Sequence, residues 1–250
     1  MQTGRVRFEG LEKVYPDGTE ALGRCDLTVG GAEMVAIVGP SGCGKSTLLR
    51  IASGLEPGSA GRATTEGTVG FVFQDATLLP WRSVERNVEL GAELLGVGRA
   101  ERQARVADAI DLVGLGAFRH HRPAALSGGM RMRVSLARAL VLRPDVFLFD
   151  EPFGALDEIT RERLNEELLR IFELRPFAGL FVTHNVSEAV FLATRVLVMS
   201  PRPGRITHDV AVPFPFPRDP ELRYTPEFAR LAGDISRALR AEAATTASRA

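Results

Sequence analysis

Cysteine is scarce in these 250 residues, with only Cys25 and Cys43 present. Two thiols, one of them inside a glycine-rich loop, make no disulfide framework, and a reducing compartment is the simpler reading. Long apolar runs are missing too. No stretch approaches the roughly 18–20 apolar residues that cross a bilayer, and the opening MQTGRVRFEG lacks the apolar core of a signal peptide. The chain is therefore expected in the cytosol, reaching a membrane only through a partner. An excess of either charge is also absent: Lys+Arg and Asp+Glu are both 31, a net charge of +0, which leaves no electrostatic footprint for nucleic acid. What remains is an ordinary folded composition, 45% hydrophobic and 25% charged, enough for one domain with an appended subdomain.

Glycine is where the chain becomes specific. Gly39-Pro40-Ser41-Gly42-Cys43-Gly44-Lys45-Ser46-Thr47 satisfies the phosphate-loop pattern, a four-residue spacer between two glycines followed by Lys and Ser. Backbone N–H groups wrap a phosphate only where no Cβ blocks approach and the chain can enter positive φ. Lys45 would reach the β- and γ-phosphates, and the Ser46 hydroxyl would ligate Mg²⁺. The apolar run Met34–Val38 before the loop suits a buried parallel strand, and Lys45–Leu55 after it has helical spacing. The phosphates would then sit at a helix N-terminus.

Upstream, Val6 and Phe8 alternate with polar neighbours, Pro16-Asp17-Gly18 signals a turn, and Leu22–Val29 offers a second strand. Tyr15 lies between them; its ring could pack on the sheet or face a purine. Downstream, a Gly-rich passage over 54–70 leads to a compact strand, Thr68–Phe73. Gln74 follows, able to ligate a metal or orient water, or simply to sit in a solvated turn. Leu78, Leu79 and Trp81 then open a helical insertion that serves as scaffold or faces a partner. In it Val84, Val88 and Leu95 are expected on one face, with Val106, Ile110 and Val113 continuing after Gly96-Val97-Gly98.

The second informative stretch is Leu126-Ser127-Gly128-Gly129-Met130, which leads into a basic helix. Ser-Gly-Gly at a helix start offers a capping hydroxyl, free backbone donors and a dipole end, hence a second anion site. Val146–Phe149 is a buried-strand run ending in Asp150-Glu151-Pro152. A carboxylate at such an end is placed to hold a phosphate-bound Mg²⁺, and its neighbour to orient or deprotonate water. His184 follows Leu180–Thr183; a histidine there is either structural or on the ligand side of the sheet.

Taken in order, the phosphate loop, Gln74, LSGGM, VFLFDEP, Gly154-Ala155-Leu156-Asp157 and Phe181-Val182-Thr183-His184 closely resemble the nucleotide-binding subunits of ATP-binding cassette transporters. The resemblance runs from about Val6 to Arg205. It implies an α/β fold, a P-loop NTPase core with a parallel sheet, an N-terminal antiparallel β subdomain and an inserted α-helical subdomain at about 75–140. It implies an ATPase using Mg²⁺, in which two copies stack head to tail and Ser127, Gly128 and Gly129 of one complete the ATP site of the other. By match to the family motifs, Tyr15 is the adenine platform and Gln74 the Mg²⁺ and water contact. Asp150 is the Walker B carboxylate, Glu151 the base, Asp157 the link between sites and His184 the γ-phosphate sensor. Met130 and Met132 stand where glutamine is common, and Met130 carries no amide for a nucleotide contact.

Leu78-Leu79-Pro80-Trp81, Pro152–Asp157, Glu188–Ala193 and Val198–Ile206 further resemble the nitrate, sulfonate and taurine importer ATPases. That branch implies a cytoplasmic subunit, peripheral on the inner face of the cell membrane, with an integral permease and, indirectly, a periplasmic solute-binding protein. A soluble cassette without a permease is the alternative; proteins of that kind usually carry two cassettes or long inserts. A small-molecule phosphotransferase would leave LSGGM unexplained. A single domain is expected over 5–240. Within it Leu164, Leu168 and Ile171 mark an amphipathic helix, and Pro213-Phe214-Pro215-Phe216-Pro217 is an extended connector. Phe228, Leu231, Ile235 and Leu239 mark a terminal helix packed on its own domain, and 241–250 a disordered tail.

Overall fold

The computed structural model describes residues 4–154 and 156–247. The first two strands, β1 (Arg5–Val14) and β2 (Glu20–Val29), pair antiparallel around the Pro16-Asp17-Gly18 turn. They bury Val6, Phe8, Leu11, Leu22, Cys25, Leu27 and Val29, while the alternating positions face water. Next come β3 (Glu33–Val38), entered by a two-residue turn, α1 (Lys45–Ala52), β4 (Ala60–Glu66) and β5 (Val69–Val72). Strand β4 lies inside the Gly-rich passage, to which the sequence assigned no element, and joins the other edge of β1, so the small sheet runs β2-β1-β4. Its side chains are mostly exposed, so no apolar alternation marked it; backbone pairing to β1 makes it a strand.

The helical insertion comprises α2 (Val84–Leu94), α3 (Arg99–Leu112) and α4 (Gly128–Leu140), packed on one another. Ser83 caps α2 by accepting from the Arg86 N–H at 3.3 Å. Val84 and Val88 are buried as expected, but Leu95 is not: α2 ends one residue earlier, and Leu95 caps it with its side chain in solvent. The remaining elements are β6 (Val146–Asp150), α5 (Glu158–Leu174), β7 (Ala178–Val182), α6 (Val186–Leu192), β8 (Arg195–Met199), β9 (Ile206–Ala211) and α7 (Pro226–Ala247).

The large sheet runs β5-β6-β7-β3-β8-β9, parallel throughout except for β9, which returns antiparallel along β8. Its central strands are buried on both faces, as helices or a second sheet on each side require. Phe147, Phe149, Phe181, Val196 and Val198 point toward α2 to α7, whereas Val35, Ile37, Leu148, Leu180 and Leu197 point toward α1 and the small sheet. All parallel strands end on one edge, and Val38, Val72, Asp150 and Val182 deliver the phosphate loop, Gln74, Glu151 and His184 there. Helix α7 packs on α6 and β8, burying Phe228 and Ile235. It continues to Ala247, beyond the point where disorder was expected, because the alanine-rich run extends a formed helix at almost no propensity cost. Residues 248–250 of that expected tail, and Ala155, lie outside the described residues.

Candidate ATP site

Between Val38 and Lys45 the chain arches, with φ of +73° at Gly42 and +103° at Gly44. A Cβ at Gly44 would stand 2.7 Å from the Ala21 carbonyl oxygen, so this position needs glycine for space as well as for φ. Gly44 caps α1 with no side chain, which leaves the first-turn N–H groups to whatever enters the arch. Lys45 is buried, and its Nζ donates to the carbonyls of Gly39 at 2.9 Å and Pro40 at 2.8 Å. An ammonium anchored to the loop's own carbonyls sets a fixed positive charge inside the arch. Both cysteines are free and buried; burial raises the Cys43 thiol pKa and pushes that of Cys25 up to about 12.

Beside the arch is a cleft of about 320 Å³ lined by the loop together with Tyr15, Ala21, Gln74, Glu151 and Arg202. The Ser46 hydroxyl donates to Asp150 Oδ1 at 2.9 Å across the α1–β6 boundary. Burial raises the Asp150 carboxyl above its usual value, and the Ser46 donor opposes that shift. Glu151 turns out of β6 with φ +47°, a strained conformation for a non-glycine residue, and brings its Oε2 to 3.2 Å from His184 Nδ1. Tyr15 sits at the other end, its hydroxyl 3.1 Å from Thr47 Oγ1 and its ring under the Lys13 ammonium at 5.0 Å from the centroid. Ser46, Asp150 and Gln74 each offer an oxygen ligand, which suits hard Mg²⁺, and the bare helix start suits polyphosphate.

Ser127, Gly128 and Gly129 do not line this cleft. Ser127 caps α4, accepting from the Met130 N–H at 3.2 Å, and is exposed. Gly129 abuts Leu156, whose Cδ2 would be 2.9 Å from an added Cβ, so the start of α4 touches the segment leading to Asp157. Asp157 in turn caps α5 through the Thr160 N–H at 2.9 Å. Met130 is half-buried against the core.

The loop carrying His184 is held from behind by Glu188, which sequence reasoning used only as part of a longer motif. Its Oε2 accepts from the Thr183 hydroxyl, Thr183 Oγ1 accepts from the Asn185 N–H at 3.0 Å, and Asn185 caps α6 through the Glu188 N–H at 3.0 Å. Burial raises the Glu188 carboxyl above the usual 4.5, outweighing the Thr183 donor. A carboxyl with a raised folded pKa stabilises most below its unfolded value and loses that contribution as pH climbs through the folded one. Thermal stability should therefore decline with pH from about 4.5 upward, and Glu188→Gln, neutral throughout, should flatten the decline. Parallel pH–Tm curves for the two proteins would refute this assignment.

Arg202 was also not singled out; its signal was the Pro201-Arg202-Pro203-Gly204-Arg205 turn, whose place against the phosphate loop only the fold reveals. Asn87, fully buried, was missed as well. It holds the segment after Gln74 through the Leu79 N–H at 2.8 Å and the carbonyls of Leu79, Arg82 and Ser83.

A family model described as ABC transporter matches residues 22–154. The taurine import ATP-binding protein TauB of Rhizobium johnstonii is 48% identical over 200 residues, 77% of this chain and 76% of that protein. A putative ATP-binding protein of Brucella abortus is 42% identical over 235 residues, 91% of this chain and 90% of its own length. Among solved structures, a dimeric ATP-binding cassette in a post-hydrolysis state with ADP and Pi superposes with a TM-score of 0.77 at 30% identity, covering 84% of this chain and 99% of that one. A component of the ABC transporter complex cbiONQ from Clostridium perfringens gives 0.74 at 26% identity, covering 90% and 92%. With the matched family segment spanning more than half its length and relatives of this closeness, the chain belongs to the ABC transporter family, as one of its ATP-hydrolysing cassettes.

Proposed function

We propose that this chain is the ATPase subunit of a bacterial importer for nitrate, a sulfonate, taurine or a similar small solute, driven by ATP-dependent head-to-tail pairing of two copies. The observation that carries the reading is the incompleteness of the cleft. Lys45, Ser46, Gln74 and Glu151 surround it, yet Ser127–Gly129, at the exposed start of α4, stands outside it. Phosphoryl transfer depends on donors aimed at spreading charge, and a donor supplied in trans is worth on the order of 10³–10⁵ in rate. A second copy would bring such donors.

Within one copy the roles follow from position. The arch and α1 bind polyphosphate, and Tyr15 offers its ring to the adenine. Ser46 Oγ, Asp150 and the Gln74 carboxamide would hold Mg²⁺, which when bound supplies charge neutralisation on the β- and γ-phosphates. Glu151 orients the attacking water and receives its proton, and His184, bonded to Glu151, fixes that carboxylate and senses the γ-phosphate side.

The membrane reading rests on the face near Gln74. Trp81 is 67% exposed, Leu94 and Leu95 at the end of α2 are exposed too, and a groove lined by Phe71, Phe73, Thr77, Leu90, Leu94 and Arg138 opens near the segment that Asn87 holds by hydrogen bonds. Exposed apolar side chains of this kind fit a permease helix on the cytoplasmic side of the membrane. A periplasmic solute-binding protein would act through that permease, and the resemblance to TauB supports the solute class.

Mixing two inactive variants tests the paired site. Lys45→Ala and Ser127→Arg should each lack ATPase activity alone, and activity should return on mixing, because a mixed pair contains one intact site. Absence of any recovery would remove the trans role. Failure of the wild-type chain to co-purify with an integral membrane protein would overturn the import reading.

A further inference from the structure

The turn between β8 and β9 lies directly on the phosphate loop. Its ends are tied by the Ser200 N–H to the Arg205 carbonyl at 2.9 Å and by the Arg205 N–H to Ser200 Oγ at 3.0 Å. Gly204 sews it to β2, donating to the Ala21 carbonyl at 3.1 Å and accepting from the Gly23 N–H at 3.0 Å. No side chain fits at 204, because a Cβ there would be 1.9 Å from the Cys43 carbonyl oxygen. This close approach presents Arg202 to the outside of the arch. Its Nε and Nη2 both donate to the Gly42 carbonyl, at 3.2 and 3.0 Å, and its side chain forms part of the cleft rim.

Gly42 is the exposed bend of the loop, held at φ +73°. A carbonyl held by a forked, charged donor cannot turn into the arch, and the Cys43 N–H of the same peptide is held too, donating to the Pro40 carbonyl at 3.4 Å, so the bend keeps one shape around whatever enters it. Without that donor an exposed glycine bend samples many conformers, and nucleotide binding must then supply the ordering. We propose that Arg202 is a positioning residue for nucleotide: by clamping Gly42 it keeps the phosphate loop in its binding conformation and so sets ATP affinity. The proposal rests on the reading of the cleft as the ATP site.

The brace acts on the phosphate cradle and not on the base or the attacking water, which makes three readouts specific. Arg202→Ala should weaken ATP binding about tenfold, as expected if only about a tenth of the loops are then competent. Its kcat at saturating ATP should stay within roughly twofold of wild type, because Glu151 and His184 are untouched. The affinities for ATP and GTP should fall by the same factor. Arg202→Gln, which keeps N–H donors without charge, and Arg202→Lys, which keeps charge without the fork, should each recover part of the affinity.

Fluorescent-nucleotide titration and steady-state kinetics of the four proteins decide it. Unchanged affinity in Arg202→Ala, or a loss confined to kcat, overturns the proposal. If the alanine variant does not fold, the glutamine and lysine variants carry the test, and affinities equal to wild type in both overturn it equally. A wild-type chain that binds no ATP would instead overturn the reading of the cleft itself.

Discussion

Replacing Glu151 by glutamine should lower kcat for ATP hydrolysis by about 10²–10⁴-fold, the usual worth of a positioned general base, while ATP affinity changes little. The geometry separates the two effects. Glu151 lines the cleft from the end of β6, whereas the N–H groups left without a side-chain cap belong to the arch and α1. Glutamine is isosteric, keeps a hydrogen-bonding partner for His184 Nδ1, and asks nothing new of a backbone already at φ +47°. What it lacks is the capacity to take a proton. A stalled, ATP-loaded subunit should then accumulate as a pair, seen by light scattering as a monomer becoming a dimer only when Mg-ATP is added. A kcat loss below about tenfold would remove Glu151 from the role of base. A monomer at saturating ATP would make pairing depend on the permease, or would remove the trans role of Ser127.

The same residue shows what could be read in advance. The phosphate loop, the Asp150-Glu151 strand end and the Ser127 cap are local devices: a few adjacent residues specify the backbone shape, so the first two were placed on the sheet edge and the third at a helix start from their sequence alone. Parallel strands buried on both faces announce themselves as apolar runs, as β3, β6, β7 and β8 do. The unread parts depend on partners distant in sequence. Strand β4 is mostly exposed and exists because β1 offers an edge, and β9 is antiparallel because the short turn over 200–205 returns it directly along β8. Arg202 and Gly42 are 160 residues apart, and no pattern in either segment signals their contact. The alanine-rich end of α7 was misread for a different reason: small residues suggest disorder in isolation, but they also prolong a helix already anchored by Phe228 and Ile235.

Arg218 carries the largest expected effect on stability. It is 7% exposed, and its guanidinium meets the carbonyls of Val190 at 3.0 Å, Phe191 at 2.6 Å, Ala193 at 2.9 Å and Phe214 at 2.9 Å. No carboxylate is among these partners, and burial pulls its pKa down to about 10, so it remains charged near neutrality. The cation terminates α6, whose last carbonyls carry the negative end of the helix, and it stacks on the Phe216 ring at 4.2 Å from the centroid. Arg218→Met keeps much of the stem and removes every donor, leaving buried carbonyls unpaired at about 1–3 kcal/mol each. A net loss of about 3–5 kcal/mol follows once solvent reaches some of them, which for a chain of this size lowers Tm by roughly 6–20 °C. Arg218→Lys, with one compact donor, should recover a minority of that. Because α6 begins two residues after His184, the methionine variant should also lose ATPase activity at temperatures where it is still folded. A Tm within about 2 °C of wild type would show that the carbonyls find other partners, and that α6 holds His184 in place without Arg218.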